Sequence, residues 1–561
     1  MSAKEAQTYD AIVVGSGMTG GWAAKELTES GLKTLVLERG RLVEHIKDYP
    51  TANKDPWELD YGNELSVKDK EEYYVQKNVF NFKQDTKHFF VKDVDHPYNQ
   101  VKPFNWIRGY QTGGKSLMWS RHCFRWSDLD FEANAKEGIG IDWPIRYRDI
   151  APWYDRIEEF IGVSGENAGL PQLPDQKLLP PLEMNCIEEH VKKQIAARYD
   201  DRKMIVARVA ILTRPHNGRG RCQSRNMCAR GCPYGAYFSS NSSTLPAAAK
   251  TGNMTLRPFS IVHSLIYDAD KNRVTGVRVI DAETRETHEY FSKIVFLNSG
   301  TLNTTLILMN STSRHFPNGF ANSSGVLGNY LMDHQEAGGA IGFYQGFEDK
   351  YYHGRKPNGM YIPRFRNVKE KRSDYVRGFA YECYSGRGGW QGGYYRMGMG
   401  EDFKNDITRP GPWQMLLIGY GECLPNVKNK VTLNTDKKDQ WGLPTLNVDM
   451  QYGENELTMR KDMQASAEEI LRTSGMKNVG PLSLHPTPGG CIHEMGTARM
   501  GNDPKTSVLN RFNQCHDVPN LFVTDGSCMV STACQNPSLT YMALTARACD
   551  FAVKEMKKGR L

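Results

Sequence analysis

Residues 10–40, DAIVVGSGMTGGWAAKELTESGLKTLVLERG, constrain this chain more than any other stretch. A short apolar run, Ala11 to Val14, suits a buried parallel strand. It leads into Gly15-x-Gly17-x-x-Gly20, a helix-forming stretch from Trp22 to Glu29, and a second apolar run from Thr34 to Leu37. Gly15 permits the tight turn, Gly17 lets the backbone approach a pyrophosphate, and Gly20 lets helix and strand pack closely, while the helix N-terminus offers free N–H donors to phosphate. Glu38, at the end of the second strand, is placed to accept hydrogen bonds from ribose hydroxyls and to repel a 2′-phosphate. The unit predicts dinucleotide binding without separating FAD from NAD.

At 561 residues the chain exceeds one simple core and suits two or three domains, or two built from interleaved segments. Hydrophobic content of 39% allows a large core, and a formal charge of +7 with no dominant basic block argues against nucleic acid as a partner. No apolar run approaches the roughly 20 residues of a membrane helix. The opening MSAKEAQTYD leads straight into the first strand, so no signal peptide is expected. The chain is expected to be either cytoplasmic or exported with help from another polypeptide.

Beyond the cradle the order of elements is interleaved. Residues 41–101 are polar and irregular, as a surface excursion would be. In RGYQTGGKSLMWSRHCFRW, from Arg108, the glycines Gly109, Gly113 and Gly114 suggest a second loop of close backbone approach, with Ser116 able to hydrogen-bond a ligand and Trp119 able to pack on one. Residues 261–280, with Val262 near their start, alternate as a hairpin turning near Asp270, and KIVFLNSGTLNTTLILMNS from Lys293 reads as strand, glycine turn and helix. Residues 337–482 carry strand-like runs at 415–420, 430–434 and 446–451 and an amphipathic helix at 454–474, suiting an antiparallel sheet that roofs the cofactor site.

Most of the twelve cysteines stand alone and read as buried thiols. Cys222, Cys228 and Cys232 share an Arg/Gly-rich loop in C-x5-C-x3-C-P spacing, where three thiolates could converge on one centre. A three-iron cluster, zinc with a further ligand, a disulfide in an oxidising compartment, and structural thiols all remain open.

Several spaced motifs together resemble the glucose–methanol–choline (GMC) oxidoreductase family. They are the cradle ending in Glu38-Arg39-Gly40, the Arg108-Gly109 to Gly113-Gly114 loop, IDWPIRYRDIAPWYDRIEEFIG from Ile141, VLGNYLMDH from Val326, His493-x-x-Gly496-Thr497, Asp525-Gly526 and Asn536-Pro537. The resemblance implies an α/β, Rossmann-like FAD-binding domain assembled from discontinuous segments (1–45, 102–150, 205–335 and 490–561). It also implies an α+β substrate domain with an antiparallel sheet (46–101, 151–204 and 336–489). The residues it assigns to FAD are Gly15, Gly17, Gly20, Glu38, Arg39, Arg108, Gly113, Gly114, Ser116, Val262, Asp525, Gly526, Asn536 and Pro537.

Within the family the CARGCPYGA loop and the NPSLT ending are most similar to bacterial sugar dehydrogenase large subunits, some of which carry a [3Fe-4S] cluster at this loop. Those subunits often begin the loop with two adjacent cysteines, where this chain has Cys222-Gln223. Met118 precedes Trp119 where some relatives attach flavin to a histidine, so noncovalent FAD is expected. The resemblance implies a sugar or glycoside substrate, in its narrowest form C3 of a glucoside. It also implies a small partner subunit, a cytochrome c-type acceptor, and periplasmic location by co-export with a signal-bearing partner.

Alcohol oxidation needs a base for the hydroxyl proton while hydride leaves carbon, and histidine titrates in a useful range. His493 matches the family's catalytic histidine, and Asn536 its second member, whose amide can hold the substrate oxygen. His122 and His485 are weaker candidates, read as structural. The aromatic stretch 381–400 reads either as a cover whose Trp390, Tyr394 and Tyr395 stack on sugar faces or as an exposed loop. A dehydrogenase, an oxidase using dioxygen and a non-catalytic flavin subunit are the competing functions, and His493 with Asn536 argues against the last.

Overall fold

The computed structural model describes residues 8–352, 358–387, 398–484 and 486–561. The cradle becomes β1 (Thr8–Val14), α1 (Met18–Glu29) and β2 (Thr34–Leu37). β1 and β2 pair in parallel, Ala11 opposite Thr34 and Val14 opposite Leu37. Their near-continuous apolar runs follow from burial on both faces. Ile12 and Val14 pack into the main core with Trp22, whereas Ala11 and Val13 pack with Ala23, Ala24 and Leu27 of α1 and with Ala548 and Ala552 of the terminal helix Ser538–Lys557.

The strand Thr287–Leu297 pairs in parallel with the free edge of β1, and Met254–Arg257 pairs in parallel outside β2. The first half of Thr287–Leu297 continues antiparallel into Arg273–Asp281, while its last residues take Leu521–Val523 in parallel. One seven-stranded sheet therefore gathers segments lying between residues 8 and 523. The hairpin expected over 261–280 is the antiparallel pair Ser260–Asp268 and Arg273–Asp281.

A six-stranded sheet runs in the order Lys477–Pro481, Gly339–Tyr344, Trp413–Gly421, Phe379–Arg387, Met360–Ile362 and Ile205–Val206, antiparallel throughout. The helix Glu454–Thr473 covers it with Met459, Met463, Ala467 and Ile470. Ile205–Val206, placed with the cofactor segments by the sequence reading, pairs here with the second sheet.

Two further readings change. Lys430–Lys438 pairs with Pro444–Asp449, which pairs in turn with Asn99–Gln100, in a separate three-stranded sheet, not in the roof. Only Val431 of the outer strand is buried, so that strand lacks the apolar face a central position needs. The excursion 41–101 also contributes to the core: Tyr73, Phe82, Phe89 and Phe90 are buried, with Phe82 edge-on to Phe90 at 4.9 Å. No helix among the described residues is long and apolar enough to cross a membrane.

Candidate active site

One cavity is lined by the cradle, the loop after Arg108 and the segments around His493 and Asp525. The three cradle glycines differ in what stands over them. A Cβ on Gly20 would meet the Gly15 carbonyl oxygen at 1.9 Å, so α1 packs on the turn only with glycine there. Gly15 itself has φ +96°, which favours glycine. Over Gly17 the nearest atom is 3.9 Å away, leaving its backbone open to the cavity. Glu38 is buried; its Oε2 accepts from the Ser16 amide at 3.1 Å and hydroxyl at 2.5 Å, and its Oε1 from the Gly40 amide at 3.0 Å. Burial raises its pKa, opposed by these bonds.

Glu38, Arg39, Arg108, Gly114, Val262, Asp525, Gly526 and Asn536 all line the cavity, but Gly20, Gly113, Ser116 and Pro537 do not. Ser116 was expected to bind a ligand; instead its hydroxyl donates to the Gly113 carbonyl at 2.5 Å and accepts from the Ser240 amide at 3.0 Å. Gly113 in turn donates to Ser16 Oγ at 3.0 Å, so this loop is locked onto the start of α1. Pro537 caps the terminal helix. Arg108 pairs with Asp93 at 3.0 Å and donates to the His96 carbonyl at 2.7 Å. Asp525 accepts from the Gly300 amide at 2.9 Å and Thr304 hydroxyl at 2.5 Å, tying its segment to the helix Thr301–Asn310.

The cavity-lining residues with buried polar atoms that find no hydrogen-bond partner among the described residues include Arg39 Nε, Asn81 Oδ1, Arg108 Nε, Arg121 Nε, Asn298 Oδ1, Glu494 Oε1 and Tyr541 OH. Such atoms are costly unless a ligand satisfies them. Donors and acceptors spread along a glycine-floored cavity fit a long polar cofactor such as FAD.

His493 is reached by an antiparallel contact in which Met332 and Met495 exchange backbone hydrogen bonds of 2.9 Å. Gly496, at φ +84°, makes the approach feasible, since a Cβ there would meet the Tyr330 carbonyl oxygen at 2.0 Å. The His493 amide donates to Asp333 Oδ1 at 3.0 Å, and its ring Nδ1 lies 3.0 Å from His334 Nδ1 and 3.4 Å from Cys491 Sγ. Burial, with His334 and Lys115 nearby, holds the His493 pKa well below the usual histidine value, so the ring is neutral. Asn536 lines the same cavity.

A polar wall that sequence reasoning missed also lines the cavity. Tyr420 donates to Glu336 Oε1 at 3.1 Å. Burial, reinforced by the neighbouring Glu382 carboxylate, pushes the Glu336 pKa up to about 8, which leaves it a carboxylic acid at neutral pH. His122, read from sequence as structural, lines the cavity too, with Nε2 3.2 Å from Glu382 and 3.2 Å from the Tyr384 hydroxyl. The available signal was position: His334 closes VLGNYLMDH, and Glu336 follows two residues later. His485, Trp390, Tyr394 and Tyr395 lie outside the described residues.

Cys222, Cys228 and Cys232 are free and half-buried beside Phe124 and Tyr237. Arg121 donates to the Cys228 carbonyl at 3.0 Å and Arg230 pairs with Asp85 at 2.6 Å.

A parallel-sheet dinucleotide cradle, an antiparallel sheet beside it and a neutral histidine on the shared cavity define a flavin-type oxidoreductase of two interleaved units. The chain belongs to the GMC oxidoreductase family: its N-terminal model matches residues 9–336 and its C-terminal model residues 425–545. It is similar to the 2-methyl-1,2-propanediol dehydrogenase of Mycolicibacterium austroafricanum, at 29% identity over 97% of this chain and 95% of that one. It is also similar to the fructose dehydrogenase large subunit of Gluconobacter japonicus, at 27% identity over 99% of each. Among solved structures, formate oxidase of Aspergillus oryzae RIB40 shares the fold, with TM-score 0.62 and 14% identity over the full length of both chains. The protein is an FAD-dependent enzyme acting on CH–OH groups of alcohols or sugars.

Proposed function

We propose that the chain oxidises a CH–OH group of a sugar or glycoside, with His493 as general base and Asn536 as the amide that orients the substrate oxygen. One observation carries this: a neutral, anchored His493 shares its cavity with Asn536 and the cradle. Gly17, the N-terminus of α1 and Glu38 would hold the pyrophosphate and ribose of FAD, bound noncovalently. FAD, when bound there, would supply the two-electron acceptor for the carbinol hydride. His493 Nε2 takes the hydroxyl proton, and the Asn536 amide keeps the oxygen in line. Glu336, Tyr420 and His122 offer hydrogen bonds to neighbouring hydroxyls, which suits a polyhydroxylated donor. The names of the full-length relatives, a diol dehydrogenase and a sugar dehydrogenase subunit, support the same class.

The narrower reading is oxidation at C3 of a glucoside, with electrons passing through a [3Fe-4S] cluster at Cys222, Cys228 and Cys232 to a cytochrome c-type acceptor in a complex with a small subunit. Three free thiols in one loop and the large-subunit name of one relative support it. The test is the visible spectrum of anaerobically purified protein, with iron and sulfide assays, before and after D-fructose, methyl glucosides and 2-methyl-1,2-propanediol. Flavin bands that bleach with a sugar above an iron–sulfur background are expected. Bleaching with the diol alone would overturn the sugar assignment, and bleaching without iron would overturn the cluster.

A further inference from the structure

The base assigned above works only if the nitrogen facing substrate carries no proton, and a neutral imidazole can hold its proton on either nitrogen. We propose that His334 fixes His493 in the Nδ1–H tautomer and so leaves its Nε2 bare; this rests on the reading of His493 as base.

The argument starts from a carbonyl. His334 Nε2 lies 2.9 Å from the Ala533 carbonyl oxygen, which can only accept, so that nitrogen carries the hydrogen. His334 is fully buried, and burial takes its pKa down to about 4, so the ring is neutral and its Nδ1 is a lone pair. That lone pair faces His493 Nδ1 at 3.0 Å. Two bare nitrogens at this distance repel, so His493 Nδ1 is the donor. Cys491 does not supply a proton to this nitrogen: its thiol is hydrogen-bonded to Glu336, so its Sγ, 3.4 Å from His493 Nδ1, can only accept and favours the same tautomer. His493 Nε2 is then the acceptor. When it takes the hydroxyl proton, the Nδ1–H bond to His334 persists unchanged, so no ring flip is required.

The parts of this relay are held from several sides. Asp333, adjacent to His334, accepts from the His493 amide at 3.0 Å and from the Gly489 amide at 2.8 Å, fixing the backbone on either side of Cys491. Tyr452 donates to the His334 carbonyl at 2.8 Å. Ala533 has φ +52°, a left-handed conformation that a non-glycine residue adopts at a cost of about 1 kcal/mol or more. It lies three residues before Asn536, so the same segment supplies the carbonyl that orients the relay and the amide that orients substrate. His334 is thus a positioning residue, acting through His493.

The experiment is nitrogen-15 NMR of the FAD-bound protein labelled at histidine, the His493 signals being identified by their loss in His493→Ala. A protonated Nδ1 and bare Nε2 on His493 are expected; the opposite tautomer in the wild-type protein would overturn the proposal. His334→Asn, whose Oδ1 can stand in for the Nδ1 acceptor, should keep this pattern and reduce its flavin within about 10-fold of the wild-type rate, using whichever of D-fructose, methyl glucosides or 2-methyl-1,2-propanediol reduces it fastest. His334→Leu should keep FAD, lose the fixed tautomer and slow anaerobic flavin reduction about 10²-fold or more. Wild-type spectra and rate in His334→Leu would also overturn it. A His493→Ala protein that reduces flavin at the wild-type rate would instead refute the base reading, while the tautomer stands or falls on the nitrogen spectrum.

Discussion

His493 is the proposed base, and its replacement separates binding from turnover. His493→Ala should retain FAD, since the cradle lies elsewhere on the cavity, while anaerobic flavin reduction by substrate falls about 10²- to 10⁴-fold. Stopped-flow absorbance measures it, and an unchanged rate removes His493 as the base. Glu336 offers a pH test at the same scale. Its folded pKa of about 8 lies above the usual carboxylate value, so the native state holds a proton that the unfolded state has released. The resulting stabilisation is complete below about pH 4.5 and is lost as pH rises through about 8. The melting temperature of wild type should therefore fall relative to that of Glu336→Gln between about pH 5 and 9. Parallel calorimetric curves would contradict a protonated Glu336. At this scale the place of His493 and Asn536 on the cavity was legible because short motifs carry them. His334 was not, because its meaning lies in a bond to a ring 159 residues away.

Among the elements, the β1–α1–β2 unit was the most legible, since strand, turn and helix are each encoded locally. α1 begins at Met18, four residues earlier than its helix-forming stretch suggests; glycine propensity hides that first turn, and tertiary bonds such as Ser240 Oγ to the Gly17 carbonyl at 2.9 Å hold it. The strand pair Lys430–Lys438 and Pro444–Asp449 was legible as strands but not as a separate sheet, because pairing depends on distant Asn99–Gln100. The cradle glycines allow a paired prediction. In Gly17→Ala the new methyl meets nothing closer than 3.9 Å, so the apoprotein should melt as wild type does while FAD affinity falls, the methyl standing where a pyrophosphate would approach. In Gly20→Ala the methyl meets Gly15 oxygen at 1.9 Å, and the fold itself should weaken by roughly 1–3 kcal/mol. Thermal melts with FAD titration distinguish them; equal loss of apoprotein stability in both would refute the division of labour.

Across the whole molecule, the interleaving that brings residues 8 to 523 into one sheet is invisible to composition and periodicity, and only the ordered motifs of the family anticipate it. The cysteines are arranged on the same scale. Eight of the twelve are buried, and the four that are not include Cys186 besides the three of the loop. Accessibility and thiolate character govern alkylation, so brief treatment of the native protein should modify Cys186, Cys222, Cys228 and Cys232 ahead of the rest when iron is absent. If the loop holds a cluster, anaerobically purified, iron-bearing protein should resist at Cys222, Cys228 and Cys232 while Cys186 reacts as before, giving each sample its own control. Peptide mass spectrometry reads all four sites at once. Loop thiols that react equally with and without iron would place the electron exit elsewhere and leave standing the proposal that the donor is oxidised at the His493 cavity.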